Sequence, residues 1–117
     1  MDSVESMAYL RKEEETVEID HPLSKVWVGI QQVLASLDWT TEQINETEHR
    51  VKAKTKAGPM SWSSILQINV TPVDEKTTRV LVKSETPVTM IVGMIDFAQG
   101  KRRIGQFFAE LAKQLAS

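Results

Sequence analysis

The feature that most constrains the fold is an amphipathic helix that begins at a proline. Pro22 suits the first position of a helix, because the N–H that proline lacks would have no partner there. After it, apolar residues recur at spacings of three and four and so share one helix face: Leu23, Val26, Trp27, Ile30, Val33, Leu34 and Leu37. A second stripe of this kind predicts a closing helix over at least Lys101 to Ala116. Two amphipathic helices in one short chain require an apolar surface to cover.

Segments that alternate between apolar and polar residues supply that surface, because alternation is typical of strands with one buried face. The predicted strands are Glu15 to Asp20, Trp39 to Glu46, His49 to Ala57, Ser61 to Thr71 and Thr78 to Glu85. The short turns between them favour antiparallel pairing. The sequence therefore predicts an α+β fold, a two-layer sandwich of an antiparallel five-stranded sheet in the order β-α-β-β-β-β-α. Both helices are expected on one face, with residues 13–117 as a single domain and residues 1–12 as a flexible N-terminal arm.

Size and composition exclude several classes of protein. The chain has 117 residues and a formal net charge of −2, which predicts one core and no strong attraction of the whole molecule to nucleic acid. The absence of cysteine excludes disulfides, thiolate chemistry and cysteine-based zinc sites. The first residues lack a signal-peptide pattern, and the apolar stretch from Pro87 to Ile95 is far shorter than the roughly 20 residues of a spanning helix. We therefore expect a cytoplasmic protein without a membrane span.

Motifs for catalysis are scarce. His21 and His49 have no second ligand at metal spacing, and neither a G-x-S-x-G motif nor a glycine-rich phosphate loop is present. Asp96 interrupts an apolar stretch, and a role at a helix start explains it as well as proton transfer does. The sequence thus offers no catalytic residue, no metal ligands and no cofactor site. Whether the protein is an enzyme stays open, and binding without catalysis is favoured.

Both helices carry a resemblance to known proteins. Val26-Trp27 and Val33-Leu34 on the first helix, and the run from Gly100 to Phe108 on the last, resemble short proteins of the START-like (helix-grip) class. In that class a curved sheet wraps a long C-terminal helix, and many members bind apolar or amphipathic small molecules, while some branches are enzymes. The order of elements also resembles the TATA-box-binding-protein-like topology, which implies recognition of nucleic acid or a partner on an open sheet face.

An apolar pocket between the sheet and the C-terminal helix is the first candidate site. Tryptophan offers a broad apolar wall with one polar group, and methionine adapts to irregular ligands. The candidate lining residues are Trp27, Trp62, Met90, Met94 and Phe97. Large apolar residues are equally typical of an ordinary core. On this interpretation the protein binds a small apolar or amphipathic ligand.

The open face of the sheet is the second candidate site. Alternation places basic residues of several strands on the side opposite the apolar ones: Lys52, Lys54, Lys56, Arg79 and Lys83. Such a face could follow a phosphate backbone, yet solvated antiparallel faces are routinely rich in lysine and this one has no aromatic residues for stacking. Contact with a protein or with nucleic acid is therefore an alternative function, with nucleic acid less favoured. A homodimer that covers this face or the segment from Met90 to Ile95 is a further alternative.

Overall fold

The computed structural model describes residues 8–56, 63–89 and 99–116. These residues form five strands and two helices in the predicted order. The elements are β1 (Ala8–Ile19), α1 (Leu23–Ser36), β2 (Thr40–Asn45), β3 (Arg50–Lys54), β4 (Ile65–Pro72), β5 (Thr78–Thr89) and α2 (Gln99–Ala116).

The strands form one antiparallel sheet in the order β1-β5-β4-β3-β2. Consecutive strands from β2 to β5 are neighbours, and β1 completes the sheet as an edge strand by pairing with β5. The α+β class and the antiparallel five-stranded sheet are confirmed. Strand β1 begins at Ala8, although the sequence predicts a strand only from Glu15, because its first half is held by a twelve-residue register with β5 that extends from Ile19↔Thr78 to Ala8↔Thr89.

Both helices cover one face of the sheet. The apolar residues predicted for that face are buried there, namely Leu66, Ile68, Val70, Val80 and Val82. They form a single core with the apolar stripe of α1 and with Ile104, Phe107 and Leu111 of α2. Burial of these side chains is the main favourable contribution to folding. The two-layer sandwich is therefore confirmed.

The helices approach each other closely at Gly29. A β-carbon at that position would lie 3.2 Å from Cδ2 of Leu115 and 3.3 Å from Cδ1 of Leu111. Glycine thus lets α1 lie against the C-terminal half of α2. This contact fixes α2 along the sheet and places its first turn over the opposite end, where β3 ends and β4 begins.

Candidate ligand-binding site

The buried residues on the covered face of the sheet are apolar in its middle and polar at one end. Its middle is aliphatic, but the end nearest the first turn of α2 carries buried hydroxyl groups, which we call the hydroxyl cluster: Thr55, Ser64, Ser84 and Thr86. Each of these side chains is at most 2% exposed. Buried hydroxyls cost free energy unless they find hydrogen-bond partners, so their partners are informative.

Three members of the hydroxyl cluster are joined by hydrogen bonds. Thr55 N donates to Ser64 O at 2.9 Å, and Ser64 N donates to Thr55 Oγ1 at 2.8 Å, which ties the end of β3 to the start of β4. Ser64 Oγ and Thr86 Oγ1 share a further hydrogen bond at 2.6 Å. These bonds hold three hydroxyl-bearing residues in a fixed arrangement across three neighbouring strands.

Ser84 differs from the other members. Its side chain is fully buried, and among the described residues its Oγ has no hydrogen-bond partner. The first turn of α2 lies directly above it, since a β-carbon on Gly100 would be 2.9 Å from this Oγ. Glu13, which pairs with Ser84 in the sheet register, is half-buried beside the same glycine. A polar group of a ligand at this place would satisfy the serine hydroxyl.

The other end of the same face provides a comparison. Thr78 is also fully buried, yet its Oγ1 donates to the carbonyl oxygen of His21 at 2.8 Å. Both hydroxyls lie on β5 and share one face. Among the described residues, the buried hydroxyl of Thr78 therefore has a hydrogen-bond partner, whereas that of Ser84 has none.

Basic residues surround the first turn of α2. Lys101 and Arg102 are exposed, and Arg103 donates from Nη2 to the carbonyl oxygen of Lys56 at 3.1 Å. Lys56 in turn forms an ion pair with Asp38 at 3.1 Å. The helix start is thus anchored to the end of β3, close to Thr55 of the hydroxyl cluster.

Trp27, one of the predicted lining residues, lies in the core on α1. Its ring meets the ring of His49 edge to face at a centroid distance of 5.0 Å, and its Nε1 donates to Glu46 Oε1 at 2.8 Å. Glu46 and His49 belong to the turn between β2 and β3. That turn is at the end of the sheet remote from the hydroxyl cluster. A ligand contact for Trp27 stays a prediction.

The other predicted lining residues lie outside the described residues, namely Trp62, Met90, Met94 and Phe97. Along the chain they flank the hydroxyl cluster, since Trp62 comes shortly before Ser64 and Met90 shortly after Thr86. Their role in a pocket stays a prediction.

The predicted basic residues separate into two groups. Lys52, Lys54 and Lys83 extend from the outer face of the sheet, opposite the core. Arg79 is paired with Glu18 at 2.8 Å, and Lys56 with Asp38, so these two have partners within the chain. Of the five predicted basic residues, the structure thus places three on the outer face without a described ion pair, and pairs the other two with carboxylates.

The alternation along β5 carries a sequence signal for half of the hydroxyl cluster. Ser84 and Thr86 continue the alternation of Val80 and Val82, so all four belong on the covered face. Whether such a hydroxyl finds a hydrogen-bond partner depends on tertiary packing, and within the described chain the Oγ of Ser84 beneath Gly100 finds none.

Comparison with solved structures identifies the fold. Norcoclaurine synthase from Thalictrum flavum superposes with a TM-score of 0.67 at 8% identity, covering 93% of this chain and 96% of the other. The Zhui aromatase/cyclase from Streptomyces sp. R1128 gives 0.67 at 13% identity, with 91% and 94% covered. A START superfamily protein from Mycobacterium smegmatis gives 0.57 at 14% identity, with 89% and 93% covered. The chain therefore has the START-like, helix-grip fold.

No protein-family model and no curated protein matches the sequence. The structural likeness thus establishes the fold, while the TATA-box-binding-protein-like alternative stays a prediction. Neither α1 nor α2 is long and apolar enough to cross a membrane. Within the described ranges, no group of three or more histidine, aspartate and glutamate side chains is arranged to hold a metal ion.

Proposed function

We propose that the protein binds a small amphipathic molecule between the sheet and α2, without catalysing a reaction. The polar group of the ligand contacts the hydroxyl cluster, and its apolar body lies beside this cluster, against the apolar residues that precede and follow it along the chain. Ligand pockets commonly combine apolar walls with a few placed polar groups. Here the hydroxyl cluster supplies the polar groups, and the predicted lining residues supply the apolar walls.

The observation that carries the proposal is the Oγ of Ser84. A buried hydroxyl without a hydrogen bond costs about 1–3 kcal/mol, and Thr78 on the same strand avoids that cost through His21. A ligand that accepts from or donates to Ser84 removes the cost on binding. The proposal therefore explains why a serine, rather than an alanine of similar size, occupies the position beneath Gly100.

The apolar part of the site rests on sequence position. Trp62 comes shortly before β4 and Met90 directly after β5, while Met94 and Phe97 lie between β5 and α2 along the chain. We assign them to the walls around the ligand, with methionine adapting to its shape. The solved structures with the same fold include a norcoclaurine synthase in complex with a transition-state analogue, which is consistent with a ligand held by this fold.

A fluorescence titration tests the proposal. A dansyl-labelled fatty acid is added to the wild-type protein and to two variants, Ser84→Ala and Thr78→Val. We expect saturable binding to the wild type and an about 2- to 12-fold weaker Kd for Ser84→Ala, because about 0.5–1.5 kcal/mol of hydrogen bonding is lost. Thr78→Val, which removes a buried hydroxyl at the other end of β5, should leave the Kd unchanged.

Two results contradict the proposal. The first is the absence of saturable binding of the dansyl-labelled fatty acid to folded wild-type protein. The second is an equal loss of affinity in both variants, which would show that the effect comes from general destabilisation. Catalysis is tested separately, since turnover of a bound molecule would require a general acid or base, and the half-buried Glu13 is the carboxylate nearest the hydroxyl cluster in the sheet register.

A further inference from the structure

The outer face of the sheet carries a repeated pattern of side chains across β2, β3 and β4. Register places a cation of β3 between an amide of β2 and an amide of β4, twice in succession. We call these the two amide rows: Gln43–Lys52–Gln67 and Asn45–Arg50–Asn69. They line an open trough of about 650 Å³ on the outer face, away from the hydroxyl cluster.

An irregularity in β2 creates this pattern. Thr40 pairs with Lys54 and Thr41 with Ala53, but the register then shifts so that Gln43 pairs with Lys52. A regular strand would place Glu42 opposite Lys52 and Ile44 opposite Arg50, since each step along one strand matches one step along the other. The bulge therefore replaces a carboxylate and an isoleucine by two amides. β-Bulges recur at functional sites because they redirect side chains.

The polar groups of the trough favour an anionic ligand. Among the described residues Lys52 has no ion-pair partner, while Arg50 pairs with Glu48 at 3.3 Å with both side chains more than half exposed. Such an exposed ion pair is weak. The guanidinium of Arg50 also has further N–H donors that can bind a ligand. Asn45 accepts a hydrogen bond from Glu48 N through its Oδ1, at 2.9 Å. Its amide nitrogen is then left to donate to a ligand.

The spacing of the rows suits a chain of repeated anionic units. Lys52 and Arg50 are two residues apart on one strand, which corresponds to about 7 Å. Across the sheet, each row spans three strands, or about 10 Å. That surface is wide enough for one extended strand of nucleic acid and too narrow for a duplex to lie within it. Each row offers one cation for a phosphate and two amides for neighbouring polar groups.

We propose that this trough binds single-stranded RNA, with Lys52 and Arg50 on successive phosphates. The amides of Gln67 and Asn69 contact 2′-hydroxyls and base edges, because an amide can both donate and accept. The described lining contains no aromatic ring, so contacts to phosphates and 2′-hydroxyls, rather than base stacking, contribute most of the binding. This function is independent of ligand binding at the hydroxyl cluster, and each can fail without the other.

Fluorescence anisotropy with a fluorescein-labelled oligouridylate tests the proposal. Two phosphate contacts predict a slope of about −1.4 for log K against log salt, so a fourfold rise in salt weakens binding about 7-fold. The double variant Arg50→Glu/Lys52→Glu should abolish binding. The control, Lys25→Glu/Lys76→Glu, has the same change in net charge on exposed residues elsewhere and should weaken binding far less.

A second arm tests the role of the amides. Oligodeoxyuridylate lacks the 2′-hydroxyl, so wild-type protein should bind it about 2- to 10-fold more weakly than the RNA, the equivalent of one hydrogen bond. Gln67→Leu should reduce this preference for RNA while leaving the salt slope unchanged. The proposal is overturned if no RNA binding occurs, if both charge-reversed variants bind alike, or if DNA binds as well as RNA.

Discussion

The Oγ of Ser84 lies 2.9 Å from the point at which a β-carbon on Gly100 would stand. The serine on β5 and the glycine on α2 therefore define how closely the helix approaches the sheet at the hydroxyl cluster. A side chain larger than hydrogen at position 100 would therefore press against the hydroxyl of Ser84. This relationship between a strand and a helix is the centre of the proposed ligand site.

Substitution of Gly100 should act differently from substitution of Gly105. The β-carbon of Gly100→Ala would also come within 3.0 Å of Cγ of Glu13, so we expect the free energy of unfolding to fall by about 1–3 kcal/mol. A β-carbon on Gly105 would meet no described atom within 4 Å apart from the adjacent residues and the backbone of its own helix turn. Because alanine favours a helix, Gly105→Ala should raise the free energy of unfolding by up to about 1 kcal/mol. Urea denaturation measures both, and equal effects would contradict the packing described for Gly100.

The hydrogen bond between Ser64 and Thr86 should appear as a coupling between the two residues. Ser64→Ala and Thr86→Val each remove one partner of a buried bond, so each should lower the free energy of unfolding by about 1–3 kcal/mol. The double variant should lose less than the two single losses together, by about 0.5–1.5 kcal/mol. Strict additivity in urea denaturation would show that the two hydroxyls do not interact.

Stability should depend on pH through Glu110. Hydrogen bonds from Gln114 and Ser36, together with the nearby Lys113, lower the pKa of this carboxyl below its ordinary value of 4.5. A lowered pKa in the folded state contributes stability that is present above pH 4.5 and is lost as the pH falls through the folded-state pKa. Glu110→Gln should therefore be less stable than wild type at neutral pH, with the difference shrinking in acid.

Urea denaturation at neutral pH and at several values below pH 4.5 measures this difference. Glu75→Gln is the control, because Glu75 is exposed in the turn between β4 and β5. The assignment to Glu110 fails if its variant differs from wild type by the same amount at every pH, or if the Glu75 variant shows the same pH dependence.

Much of the fold could be predicted because periodicity reports which residues face the core. The stripe after Pro22 and the alternation in β4 and β5 placed the helices and the covered face correctly. The first half of β1 was missed, because its charged run from Arg11 to Glu15 shows no alternation and is held by pairing with β5. Long-range register of this kind leaves no local mark in the sequence.

The sites depend more strongly on tertiary structure. Alternation assigns Ser84 to the covered face, but only the three-dimensional structure shows that Gly100 lies above it and that its hydroxyl lacks a partner in the described chain. The outer trough depends on the bulge in β2, which places Gln43 rather than Glu42 opposite Lys52. A shift of one residue reverses which side chains share a face, and nothing in the run of residues around position 42 indicates where it occurs.

The most direct test of the ligand site is its mapping by nuclear magnetic resonance. An unlabelled medium-chain fatty acid is titrated into ¹⁵N-labelled protein, and the shifts of backbone amides are followed. We predict that the largest shifts fall on Thr55, Ser64, Ser84 and Gly100, while His21 and Glu46 at the other end of the sheet change little. Largest shifts on the outer face around Lys52, or no saturable shifts at all, would contradict binding between the sheet and α2.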